Sequence, residues 1–167
     1  KARSVGLAVV IVSSDKDFLQ LVDQGVSVYW EHKEEMVDAA KVQEKYGVPP
    51  SRLVDFFALM GDSTDNIPGI PGIGPKTAEA LLKKFSSLDA LLIAAKNKDP
   101  RITEKIRINL VEHEARLMAN VKLVSLKAEL PIAIDLENFM VKPTGSKQFQ
   151  EKLIGLGFVR VLRELQD

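Results

Sequence analysis

The sequence predicts an α/β fold, a small strand-bearing edge followed by a mostly helical remainder. Three observations predict it. Leu7 to Val12 (LAVVIV) is an unbroken apolar run of strand length, as expected of a parallel strand covered on both faces. KDFLQLVDQ then reads as a short helix stopped by Gly25, and VSVYW as a second strand, which makes a strand–helix–strand unit. Beyond Trp30 the strand signal disappears and the remaining segments read as helices.

The elements follow in order. Ser13, Ser14 and Asp15 are N-cap residues for the first helix. EEMVDAAKVQEKY is helical and ends at Gly47. Pro49 and Pro50 punctuate, and SRLVDFFALM is an amphipathic helix ending at Gly61. A turn-rich stretch leads to a helix from Pro75 to about Phe85. SSLDALLIAAK is a capped short helix, and TEKIRINLVEHEARLMANVKLVSL is a long one, either continuous or broken once. AELPIAIDLENFMVKPTGS reads as irregular linker, and KQFQEKLIGLGFVRVLRELQ as one or two helices around Gly155 and Gly157. The expected divisions are 1–48 for the α/β part, 49–127 for the helical region, and 128–167 for the linker and closing helices.

The chain has 167 residues, 46% of them hydrophobic, enough for one domain with a sizeable core. No apolar run approaches the roughly 20 residues of a membrane helix. The absence of cysteine excludes disulfides and cysteine-based zinc sites, and suits a reducing compartment. KARSVGLAVVIVSS superficially resembles a signal peptide, but no small-residue cleavage site follows it, so a buried strand is expected. The chain starts without Met, and is expected to be the later part of something longer.

Net charge is zero but unevenly spread: 7 basic against 11 acidic residues from Lys1 to Pro75, then 11 against 6 from Lys76 to Lys127. Taken alone, that pattern fits ordinary solvated helix faces.

Two carboxylate pairs stand out. Asp15 and Asp17 lie just past the end of the first strand, where open α/β sheets collect ligands. Capping of the following helix is the competing role. Asp62 and Asp65, three apart, share one face of a helical turn and could reach one cation, or they could simply build a polar turn. Oxygen ligands without His or Cys select Mg²⁺ or Mn²⁺ over zinc.

IPGIPGIGPKTAEALLKKF carries a more specific signal. Gly72 and Gly74 flank Ile73 in a tight turn whose apolar residue can plug into the core, and Pro75 suits the first helical position. Free N–H groups at that helix start, with Lys76 and the Thr77 hydroxyl beside them, form an anion site. This is a helix–hairpin–helix pattern, which grips the DNA backbone without reading bases. Lys83 and Lys84 on the following helix favour phosphate binding over a purely structural hairpin.

VVIVSSDKDFLQLV, YGVPPSRLVDFFALMGDSTDNIPGIPGIGPKTAEALLKKF and LDALL closely resemble the 5′ nuclease domain of bacterial DNA polymerase I. That family also holds stand-alone 5′–3′ exonucleases and flap endonucleases. The resemblance runs from about Val5 to LIGLGF and is densest from Tyr46 to Phe85. It implies a metal-dependent phosphodiesterase on a PIN-like α/β fold, acting on duplex DNA with a 5′ end or flap. It also implies fusion to or association with a DNA polymerase, and a location in a bacterial cytoplasm or an organelle of bacterial descent. By resemblance Asp15, Asp17, Asp62 and Asp65 form the second of two metal clusters. Gly69 to Thr77 form the duplex-holding hairpin, whose carbonyls also take a monovalent cation such as K⁺. Ser14 departs from the family's usual Gly. The family's first half, with its first-cluster acids, does not match, so the chain is expected to be a C-terminal half that cleaves poorly alone, with Val9 and Ile11 partly uncovered.

Two other readings compete. A binding-only helix–hairpin–helix module explains the hairpin but gives metal ligands no purpose. A phosphatase of the D-x-D type wants Thr or Val where this chain has Leu19, and leaves the hairpin unexplained.

Overall fold

The computed structural model describes residues 1–127, 130–141 and 146–165. Strands β1 (Val9–Val12) and β2 (Val26–Trp30) pair in parallel, Val9 opposite Val26, with β3 (Glu35–Val37) antiparallel on the far side of β2. The short helix expected between the parallel strands is a 3₁₀-helix, Lys16–Leu21. Asp23 cuts it short: its Oδ1 accepts from the N–H groups of Gly25 and Val26, at 2.8 and 3.1 Å, turning the chain into β2.

β3 was not expected. EEMV reads as the acidic start of a helix, yet Glu34 adopts a left-handed conformation (φ 49°) and folds the chain back along β2. The helix begins only after Asp38, whose carboxylate caps it through Lys41 N–H at 2.9 Å, and α1 then spans Ala39–Tyr46. Nor is β1 covered on both faces. Val10 and Val12 are exposed and Val9 and Ile11 half-buried, and among the described residues β1 pairs only with β2.

The helical remainder follows the expected order. A 3₁₀ turn at Pro50–Arg52 leads into α2 (Leu53–Met60), which buries Leu53, Phe56, Phe57, Ala58 and Leu59 and forms the centre of the core. Strands β4 (Gly61–Asp62) and β5 (Ile67–Pro68) make a small antiparallel pair. Then come α3 (Pro75–Lys84) and α4 (Leu88–Lys96), the latter capped by Ser87. The long helical stretch breaks at His113 into α5 (Glu104–Glu112) and α6 (Glu114–Val124). Leu117, Asn120 and Val124 of α6 are buried, with α2 its main neighbour.

Residues 1–130 form one compact unit and 131–167 a second. The second contains a 3₁₀ turn, Leu136–Phe139, and two helices, α7 (Lys147–Gly155) and α8 (Val159–Glu164). The linker is thus irregular apart from that turn, although its residues 128, 129 and 142–145 lie outside the described residues. No helix among the described residues is long and apolar enough to cross a membrane.

Candidate metal centre and nucleic-acid interface

Both carboxylate pairs are positioned by short, tightly bonded turns. After β1, Ser13 Oγ accepts from Asp15 N–H (3.1 Å) and Asp15 Oδ1 accepts from Asp17 N–H (2.9 Å), so Asp15 caps the 3₁₀-helix whose first turn carries Asp17. In β4, Asp62 stands opposite Ile67 and its Oδ1 accepts from Thr64 N–H at 3.1 Å, closing the turn that presents Asp65.

These turns bring Asp17, Asp62 and Asp65 together, each offering a carboxylate oxygen within 4.8 Å of the others. The cluster follows the C-terminal end of β1, as expected. Asp15 is beside it but lies outside that group of oxygens, with one oxygen spent on the cap.

The local charge is crowded. Partial burial, then Asp15 and, more weakly, Asp65 and Asp62 push the Asp17 carboxyl above its ordinary range, against the pull of Lys16. Burial also works against ionisation of Asp62, which is only 6% exposed, but the hydrogen bonds from Lys16 and Thr64 N–H overcome it and hold its carboxyl below the ordinary range. Lys16 Nζ lies 2.7 Å from Asp62 Oδ2 and 3.4 Å from Asp65 Oδ2. The sequence offered no signal for Lys16, which reads as an ordinary residue between two acids.

The donor set contains oxygen alone, and an ammonium already rests on two of its carboxylates. Three converging carboxylates suit a divalent cation with oxygen ligands.

The hairpin is joined directly to this cluster. Gly61 and Gly69 approach so closely that a Cβ on Gly69 would fall on the Met60 carbonyl, and one on Gly61 would meet the Gly69 backbone. Ile70 N–H donates to Leu59 O at 2.9 Å, and Ile70 and Ile73 are both buried, so Ile73 plugs the turn into the core as expected. Gly72, at φ 78°, supplies the left-handed position that lets the chain reverse.

Gly74 then begins α3 with no side-chain cap, and Ala78 N–H is already bonded to Gly74 O at 2.9 Å. The amides of Lys76 and Thr77 are therefore the unspent donors of this helix start, since Pro75 has none. The Lys76 side chain is exposed and, among the described residues, forms no ion pair, whereas Thr77 is half-buried. Lys83 is bound to Glu79 (2.6 Å) and Lys84 donates to Arg101 O (3.3 Å), so both are more engaged than the sequence suggested.

Two asparagines that sequence reasoning missed hold the hairpin from behind. Asn120 Nδ2 is buried and donates to Ala58 O (3.0 Å) and Pro68 O (2.8 Å), linking α6 to α2 and β5. Asn109 Nδ2 donates to Pro71 O at 2.7 Å. Neither position carries a local sequence signal, because both act across more than 30 residues. Trp30 is buried, His32 is exposed with Nδ1 3.2 Å from Ser14 Oγ, and His113 is half-buried at the α5–α6 break.

A family model described as 5′-3′ exonuclease, C-terminal SAM fold, matches residues 48–147. The chain is 43% identical over 156 residues to the DNA polymerase I of Rhizobium leguminosarum, covering 93% of this chain and 15% of that protein. It is 36% identical over 138 residues to the flap endonuclease Xni of Aeromonas hydrophila, covering 83% of this chain and 51% of that protein. A structure of T5 5′-exonuclease with divalent metal ions (zinc) bound aligns at a TM-score of 0.65 and 25% identity, over 74% of this chain and 45% of that one. The chain thus spans about half the length of the flap endonuclease and a much smaller share of the polymerase. The fold is α/β and PIN-like.

Proposed function

The chain belongs to the 5′-3′ exonuclease family, and from that premise we propose that it supplies one metal cluster and the duplex-holding hairpin of a nuclease that hydrolyses DNA phosphodiester bonds at 5′ ends and flaps. The observation that carries this reading is the continuity of cluster and clamp. Asp62 lies in β4 and Gly69 directly follows its partner β5, so a short, closely packed segment joins Asp62 and Asp65 to the helix start at Gly74.

Asp17, Asp62 and Asp65 are the residues that hold the divalent ion, with Asp15 beside them; Mg²⁺ or Mn²⁺ fits the oxygen donors. When bound, such an ion polarises a phosphate oxygen and activates water for attack. The protein's own groups do the positioning. The amides of Lys76 and Thr77 and the Lys76 ammonium take a backbone phosphate of the duplex. Asn109 and Asn120 fix the hairpin, and hence the spacing between held phosphate and carboxylates. That spacing decides where the strand is cut. In a longer protein of the polymerase kind, the same segment would act intracellularly beside a polymerase. A binding-only module is disfavoured, because it leaves three converging carboxylates without a role.

The test is cleavage of a 5′-flap duplex by the full-length gene product with Mg²⁺, with and without Asp62→Asn. Losing a ligand forfeits several kcal/mol of charge stabilisation, so the variant should be slower by about 100-fold or more. Cleavage at the unaltered rate refutes the assignment. Flap binding without cleavage in any divalent metal by the unaltered protein supports the binding-only module instead.

A further inference from the structure

We propose that Lys16 is a built-in counter-ion of the carboxylate cluster, which a divalent cation must displace in order to bind. The inference rests on the metal reading above and goes beyond it, since it makes metal binding an exchange of cations.

The geometry carries it. Lys16 sits between Asp15 and Asp17 in the chain, yet its side chain folds across to the other turn, with Nζ 2.7 Å from Asp62 Oδ2 and 3.4 Å from Asp65 Oδ2. The stem is also held near the core, with Nζ 5.9 Å from the centre of the Phe57 ring. The side chain is 24% exposed and that of Asp62 only 5%, so most of the contact is shielded from water.

A carboxylate as buried as Asp62 is costly to leave unpaired. Lys16 supplies its only ion-pair partner among the described residues. An ammonium at 2.7 Å uses the same oxygen lone pairs that a cation would coordinate. Two cations gathered at Asp62 Oδ2 repel each other at that range, so ammonium and metal compete for it, and a cluster of three carboxylates prefers two positive charges to one. The four-carbon lysine stem can swing away once the metal is seated.

Two consequences follow. Lys16 keeps the metal-free fold from bearing an uncompensated buried charge, and it lowers the apparent affinity for metal. An ion-paired state occupied about 90% of the time weakens apparent binding about tenfold.

Calorimetric titration with Mn²⁺ of the 167-residue chain, alongside thermal melts in EDTA and at saturating Mn²⁺, distinguishes the outcomes. Lys16→Met keeps the apolar stem and removes the charge. It should bind Mn²⁺ about tenfold tighter, melt lower than the unaltered chain in EDTA, and gain more from Mn²⁺. Lys16→Arg, which keeps a cation in place, should match the unaltered chain in EDTA and bind Mn²⁺ no more tightly. If Lys16→Met does not fold, Lys16→Gln carries the same comparison. Mn²⁺ binding that is equal or weaker in the neutral variants overturns the counter-ion proposal alone. No Mn²⁺ binding by any form, the unaltered chain included, overturns the metal centre and the exchange with it.

Discussion

Asn120 carries no charge and touches no carboxylate, yet it ties three elements together. Its Nδ2 donates to carbonyls of Ala58 and Pro68 from a fully packed position on α6. Replacing it with alanine strands two carbonyls away from water and opens a cavity, at about 1–3 kcal/mol for each unsatisfied group. Asn120→Ala should therefore lose about 2–6 kcal/mol in urea unfolding. A loss within about 0.5 kcal/mol, the range of an ordinary surface change, would show that the bridge contributes nothing. At this scale the sequence was readable where a residue's type limits its role. The aspartates and turn glycines stood out because few structures call for D-x-D or GIPGIG. Lys16 and Asn120 did not, since lysine and asparagine are common on helix surfaces and only tertiary contact gives these two a purpose.

Among the elements, those with a chemical marker at each end were legible and those defined by their neighbours were not. Pro75 at the start of α3, Ser87 before α4 and Gly61 after α2 all stand where the caps predicted. β3 escaped because a three-residue strand is set by its pairing with β2, not by periodicity. The segment after β1 is a six-residue 3₁₀-helix, closed off by the Asp23 turn that leads into β2. The element with the clearest functional consequence is the start of α3. Among the described residues its first turn has no side-chain cap and the exposed Lys76 forms no ion pair, and an anion held there carries no base information. Lys76→Ala should weaken duplex binding to a similar degree across unrelated sequences, and reduce the slope of log K against log salt by about 1. Fluorescence anisotropy on two duplexes of different composition checks it, and a loss confined to one of them would contradict a backbone clamp.

At the scale of the molecule, the acidic and basic halves of the chain take on meaning once folded. The first half brings together the carboxylates of the turn that follows β1 and of β4 with its turn, while α3 opens the basic half. A substrate with a phosphate backbone would be held by the second and presented to a cation on the first. The described residues contain one group of carboxylates close enough to share an ion, and two-ion hydrolysis needs ligands for a second. The chain also covers only 51% of the flap endonuclease it resembles, and its β1 leaves Val10 and Val12 exposed, 49% and 66%, on a strand paired along one edge among the described residues. An apolar strand in that condition is a surface that another part of a larger protein would cover. The expectation is that the 167-residue chain binds a 5′-flap duplex but, with Mg²⁺, cuts it at least about 100-fold more slowly than the full-length gene product, since one ion supplies only part of the several kcal/mol that two provide. Single-turnover cleavage of the same labelled flap by both proteins, at matched and saturating concentrations, measures the ratio directly. Binding without cutting is the expected result. Rates within a few-fold of each other would mean that Asp15, Asp17, Asp62 and Asp65 suffice for the chemistry.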